Sequence, residues 1–174
     1  MLQPSTAQNY SLYEDSTYHA AQKLYFLAVQ SENYLLQAEQ SIQSLLRKYG
    51  PLPSLQMYLY GITALKARYT RNLSERVAYF RQAVAGMDAQ VQRTPYDVEV
   101  RFLRGSFYYY LPSFLGKKQE ARKDLQTLMR LLTEQPALYR SRYRPEVLRA
   151  IRGFLEQTEW FSQEECALLH TLYP

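Results

Sequence analysis

The apolar residues of this chain recur every three or four positions along almost its whole length. One such series runs through Leu35, Ala38, Ile42, Leu45 and Tyr49. This spacing matches one face of an α-helix, and no stretch alternates strongly enough with period two to indicate a half-buried strand. The sequence therefore predicts an all-α fold.

Turn and capping signals divide the periodic stretches into about eight helices. The segment "YGPLPS" ends one helix, and Ser162 with Glu165 forms a capping box, next to which Phe161 and Cys166 occupy the positions of a hydrophobic staple. We place helices near 15–30, 32–49, 54–70, 75–93, 96–110, 117–134, 145–157 and 163–172. Residues 1–14 are predicted to be a flexible N-terminal segment, and residues 15–174 a single α-helical repeat domain.

Gly61 and Gly105 lie inside two of the predicted helices and are 44 positions apart. Gly61 lies in "YLYGITAL" and Gly105 in "RFLRGSFY", and each helix is followed by a second helix and then by a proline. A glycine inside a helix costs up to about 1 kcal/mol relative to alanine. We expect the close approach of a neighbouring helix to compensate for that cost.

This arrangement resembles tetratricopeptide (TPR) repeats in degenerate form over about residues 54–136. The spacing is longer than the 34 residues of that repeat, and its usual tryptophan is missing. The resemblance implies antiparallel helical hairpins stacked as a short TPR-like solenoid, and a non-enzymatic module that binds a protein or peptide. The segment "DVEVRFLRGSFYYYLPSFLG", which is followed by Asp124, also resembles an uncharacterised group of bacterial helical proteins, and this second resemblance implies no activity.

Three consecutive tyrosines, 108–110, close the helix that contains Gly105. Successive helical residues point about 100° apart, so the three rings cannot share one environment. We expect Phe107 and Tyr110 to be buried. We expect Arg101, Arg104 and Tyr108 to line a groove that binds a carboxylate or a peptide backbone. The structural alternative is a pair between Asp97 and Arg101 within the helix.

The segment 139–152 is strongly basic in a chain whose formal net charge is +5. Its arginines Arg140, Arg142 and Arg144 could neutralise phosphates, and Tyr139 and Tyr143 could stack on bases, which makes nucleic-acid binding the alternative function. The other interpretation is neutralisation by the acidic tail that follows. We therefore expect Arg149 or Arg152 to pair with a carboxylate of residues 156–165.

Motifs of catalysis and metal binding are missing from the sequence. The two histidines lie near opposite ends of the chain, and there is one cysteine. We expect no catalytic residue, no metal and no cofactor. No apolar run reaches the roughly 20 residues of a membrane span. A cytoplasmic location is the default expectation, with export after removal of a signal peptide as the alternative.

Overall fold

The computed structural model describes residues 12–174, and within that range the regular structure is entirely helical. Residues 12–14 are helical, and short 3₁₀ turns occur at Glu32–Tyr34 and Ser113–Leu115. The longer helices are α1 (Ser16–Gln30), α2 (Leu35–Tyr49), α3 (Pro53–Tyr69), α4 (Leu73–Arg93), α5 (Val98–Tyr110), α6 (Lys118–Glu134), α7 (Pro136–Arg142), α8 (Pro145–Gln157) and α9 (Gln163–Leu172). The prediction of an all-α chain is confirmed for the described residues.

The sequence missed one helix, the short α7. It has seven residues and begins with a proline at its first position, and no side chain caps its start. Two turns are too few to show the helical spacing of apolar residues. From the sequence, part of this stretch is therefore recognisable only as the start of the basic segment 139–152. The capping box at the start of α9 is confirmed, with Glu165 N donating to Ser162 Oγ at 3.2 Å and Ser162 N donating to Glu165 Oε2 at 2.8 Å.

The chain divides into two compact units, one ending at Thr94 and the other spanning Pro95–Pro174. A single repeat domain over residues 15–174 stays a prediction. The segment predicted to be flexible lies largely outside the described residues, although Leu12 is buried within the helical residues 12–14. Among the described residues, no helix is both long and apolar enough to cross a membrane.

The first unit contains α1–α4, with α3 and α4 packed as a hairpin. Its core includes a cluster of tyrosines in edge-to-face contact, in which Tyr58 lies 6.2 Å from Tyr18 and 5.1 Å from Tyr25 between ring centroids. Gln22 donates to the Tyr58 hydroxyl at 3.1 Å. In this unit, tyrosine thus supplies core area, and the polar tip of Tyr58 is hydrogen-bonded inside.

Asp15 joins the start of α1 to the end of α2. Its carboxylate caps α1 by accepting from Thr17 N, and it accepts from Lys48 Nζ and the Tyr49 hydroxyl, both at 2.7 Å. These bonds, with that from Lys48 foremost, hold the pKa of Asp15 well below its usual value. The capping residue of one helix is therefore also the anchor of the next.

The second unit contains α5–α9, with α5 and α6 packed as a hairpin and α9 against α6 and α8. Tyr173, just after α9, is buried and donates its hydroxyl proton to Leu132 O at 2.7 Å. Burial raises the pKa of Tyr173 to about 12. This bond ties the last residues of the unit to the end of α6.

Gly61 and Gly105 are confirmed as points of close helix approach. A Cβ atom at Gly61 would lie 2.6 Å from the Tyr25 hydroxyl oxygen, and one at Gly105 would lie 2.8 Å from Leu125 Cδ2 and 3.1 Å from Asp124 Cβ. The neighbours differ, because Gly61 faces the preceding α1 whereas Gly105 faces the following α6. The two glycines therefore serve the same purpose in non-equivalent packing.

We expect Gly105→Ala to lower the free energy of unfolding by about 1–3 kcal/mol, since the added methyl overpacks the α5–α6 contact. The matched control is Gly153→Ala in α8, where no atom lies within 4 Å of the new Cβ. There, helix propensity alone should raise stability by about 0.5–1 kcal/mol. Urea unfolding measures both, and equal effects of the two substitutions would contradict the close approach at Gly105.

Candidate functional site

A buried carboxylate on α6 holds two arginines of α5. Asp124 is 0% exposed, and Arg101 and Arg104 are buried beside it. Arg104 forms a two-pronged contact, from Nε to Asp124 Oδ2 at 2.7 Å and from Nη2 to Oδ1 at 2.8 Å. Arg101 donates from Nη1 to Oδ1 of the same carboxylate and from Nε to Pro95 O at 2.7 Å. Arg101 thus pairs with Asp124 instead of Asp97, which caps α5 by accepting from Val100 N at 3.0 Å.

The structure contradicts the predicted burial of two tyrosines at the end of α5. Tyr108 is 0% exposed, although we expected it to line a groove, and Tyr110 is 71% exposed, although we expected it to be buried. Phe107 is half-buried. Tyr108 shares its helix face with Arg101, Arg104 and Gly105, and that face packs against α6. The predicted binding residues Arg101, Arg104 and Tyr108 are brought together, but inside the second unit.

Several residues of the basic segment 139–152 are buried or half-buried. Tyr139 and Tyr143 are buried and stacked on each other, with ring centroids 6.3 Å apart. Arg142 is half-buried. Burial raises the pKa of Asp97, and the positive charge of Arg142 offsets part of that rise. Arg140 and Arg144 are exposed.

Arginines of this segment bind the backbone at the end of α9. Arg140 donates to Leu172 O at 3.2 Å and Arg152 to Tyr173 O at 2.5 Å, while Arg149 lies 3.5 Å from Pro174 O. Cations are favoured there, because the last carbonyls of a helix lack partners and carry its negative dipole end.

The expected pairing with an acidic residue of the tail is confirmed in one case. Arg152 Nε lies 3.5 Å from Glu156 Oε1. The partner is one turn further along α8 itself, however, and not on the last helix. Arg149 lies 3.6 Å from Glu146, also within α8.

An open cleft of about 750 Å³ in the second unit combines aromatic and basic side chains. It is formed by the end of α5, the start of α6 and the turn after α8. Its lining residues are Tyr109, Tyr110, Lys118, Gln119, Arg122, Thr158, Glu159 and Trp160.

The aromatic rings of this cleft pack edge to face. The ring centroid of Tyr109 lies 5.0 Å from that of Trp160 and 5.6 Å from that of Phe154. Tyr110 adds its ring 5.2 Å from that of Tyr109 and leaves most of its surface exposed. Such pairs stabilise each other beyond the area that they bury, so the wall is preformed.

Cations lie over the rings of this wall. Arg122 Cζ is 5.5 Å from the Trp160 ring centroid, and Lys118 Nζ is 5.0 Å from that of Tyr109. Lys118 also donates to Tyr109 O. Ring faces are negative and attract cations at these distances, which holds both side chains at the cleft.

The turn that carries Trp160 contains a backbone conformation unfavourable for its residue. Glu159 has φ 56°, the left-handed region, and it is the one non-glycine residue with positive φ in the described chain. This conformation follows the end of α8 at Gln157. Helices commonly end in this way, but glycine usually occupies the position because a Cβ is strained there.

The cleft offers hydrogen-bond donors and apolar ring surface. Lys118, Arg122 and the amide of Gln119 can donate hydrogen bonds, and the rings offer apolar surface. No histidine or cysteine lines the cleft. Within residues 12–174, no group of three or more histidine, cysteine or acidic residues could hold a metal ion.

Sequence reasoning missed the cleft, although two signals for it exist. Lys118 and Arg122 are four residues apart and so share one face of α6. Trp160, the only tryptophan of the chain, lies three residues after the end of α8. What the sequence does not show is that these residues meet the end of α5.

Compared with known proteins, the chain matches no protein-family model, no curated protein and no solved structure.

We expect Asp124→Asn to lower the free energy of unfolding by about 3–5 kcal/mol, because it removes the negative charge that two buried guanidinium groups contact. The control is Glu134→Gln, which breaks the exposed pair of Glu134 with Arg130 at 3.6 Å. Its cost should stay below about 1 kcal/mol. Chemical denaturation of both variants checks this, and a loss at Asp124 as small as that at Glu134 would refute it.

We expect Glu159→Gly to raise the free energy of unfolding by up to about 1 kcal/mol, since relief of the left-handed conformation exceeds the entropy that glycine gains in the unfolded chain. The control Gln157→Gly, two residues earlier in the last turn of α8, should lower it by about 0.5–1 kcal/mol. Thermal unfolding compares the two. If both variants lose stability equally, the strain assigned to Glu159 is absent.

Proposed function

We propose that this chain is a non-enzymatic protein- or peptide-binding module of TPR-like helical type, and that the aromatic and basic cleft is its binding site. The observation that carries the proposal is the exposed ring of Tyr110, which lines the same cleft as Trp160 and the cations of α6. An aromatic wall lined with donors is typical of surfaces that bind protein segments, in which tyrosine, tryptophan and arginine are enriched.

The dimensions of the cleft support a peptide ligand. A volume of about 750 Å³ is enough for a few side chains and the backbone between them. The exposed ring of Tyr110 would cover an apolar side chain, and the amide of Gln119 would donate to backbone carbonyls. The edge-to-face packing of the wall limits the entropy lost on binding, because the rings are already ordered.

The alternative proposal is a nucleic-acid-binding helical domain that uses the segment 139–152. Arg140 and Arg144 are exposed and would contact phosphates. The proposal ranks second because Tyr139 and Tyr143, the residues that would stack on bases, are buried against each other. It requires an affinity for oligonucleotides that falls steeply with salt.

Trp160 gives a direct assay, since excitation at long wavelength reports on this one residue. Three pools of hexapeptides serve as probes, in which Phe, Leu or Val alternates with Asp or Glu, with Asn or Gln, or with Lys or Arg. We expect at least one pool to shift the Trp160 emission in a saturable manner. The full chain is used throughout.

We expect Tyr110→Ala to weaken this binding at least tenfold without loss of stability, because the exposed ring contributes to the cleft and little to the core. The matched control is Tyr96→Ala, which removes another exposed tyrosine of the second unit, 66% exposed, that does not line the cleft. Emission titrations measure the affinities, and circular dichroism checks the fold. The proposal fails if no pool binds, or if Tyr96→Ala weakens binding as much as Tyr110→Ala.

A further inference from the structure

We infer that the cleft binds an acidic segment of a partner protein, one in which carboxylates alternate with apolar or aromatic side chains. This inference rests on the proposed binding function and names the ligand class for the same site. Its basis is the pattern of charges at the start of α6 and the manner in which the cations contact the rings.

The start of α6 carries more positive charge than its own acidic residues neutralise. Lys117 is paired with Glu120 at 3.3 Å, whereas Lys118 and Arg122 have only Glu159 as an acidic neighbour in the lining of the cleft. The exposed Lys123 adds a further charge beside Arg122 along the helix. The site is therefore complementary to a ligand that carries negative charge.

The positions of the two cations suit carboxylates. The guanidinium of Arg122 rests on the Trp160 ring and so is held in place at little further entropic cost. Its N–H groups are donors that match the two oxygens of a carboxylate. Lys118 Nζ, over Tyr109, provides a second charged donor four residues earlier on the same helix. An apolar side chain between two carboxylates would then meet the exposed ring of Tyr110.

The same residues are less suited to single-stranded nucleic acid. Bases bind by stacking on open ring faces. Here the ring of Trp160 carries Arg122, the ring of Tyr109 carries Lys118, and the two rings meet edge to face at 75°. To stack on either ring, a base would have to displace Lys118 or Arg122, and these are the same cations that would bind the phosphates.

The test compares the acidic peptide pool with its Asn and Gln counterpart, which has the same shape and no charge. We expect the acidic pool to bind at least tenfold more tightly, as read from Trp160 emission. This preference should fall to less than threefold in Arg122→Gln and in Lys118→Gln. The matched control is Lys123→Gln, an adjacent exposed cation that does not line the cleft, in which the preference should persist.

The outcomes separate this inference from the proposal on which it rests. Equal binding of the acidic and uncharged pools would overturn the inference and leave the binding function standing. No binding by any pool would overturn both. Tighter binding of a deoxythymidine hexamer than of the acidic pool would overturn the inference in favour of nucleic acid. A preference that survives in both Arg122→Gln and Lys118→Gln would also overturn it, provided that circular dichroism shows the variants folded.

Discussion

The architecture of the second unit depends on one buried charge cluster, in which Asp124 of α6 holds Arg101 and Arg104 of α5. A buried carboxylate with two guanidinium groups tolerates few displacements, because each lost bond leaves a charged group in a medium of low polarity. The cluster thereby sets the rotation of α5 against α6. Once that rotation is set, Tyr108 must face inward one turn beyond Arg104, and Tyr109 and Tyr110 must point to other sides of α5, where they line the cleft beside the start of α6. The environment of the cleft is thus a consequence of the core.

Helix positions were predictable from the sequence because their determinants are local. The apolar period, the prolines between helices and the Ser162–Glu165 capping box act within a few residues, and the ends of α8 and α9 agree with the prediction. The interior glycines were also informative, since a helix tolerates Gly105 where a neighbour approaches closely. The identity of that neighbour was not predictable. Gly61 meets α1 and Gly105 meets α6, and only the packing of whole helices decides between such alternatives.

The candidate site was predicted less well, and the reason lies in a single helix face. Arg101, Arg104, Gly105 and Tyr108 share a stripe, and polar residues on a stripe usually indicate solvent. Gly105 indicated the opposite, because close approach buries its whole face. A buried arginine needs a buried acid, and that acid, Asp124, lies on another helix 20 or more residues away, beyond the reach of local patterns. The wrong prediction that Tyr110 is buried has the same cause, because the orientation of one face of a helix determines the orientation of the others.

Several features that local rules of stability disfavour lie at or beside the cleft. Lys117 and Lys118 stand at the start of α6, where the helix dipole disfavours cations, and no side chain caps that helix. Glu159 adopts a conformation that glycine would adopt at lower cost. Tyr110 leaves most of a large ring in water. The first two features cost up to about 1 kcal/mol each where nothing compensates for them. Local rules are most often broken where a ligand supplies the compensation. The acidic segment that we propose would neutralise the lysine at the cleft, cover the Tyr110 ring and contact the Trp160 side chain that the strained turn presents.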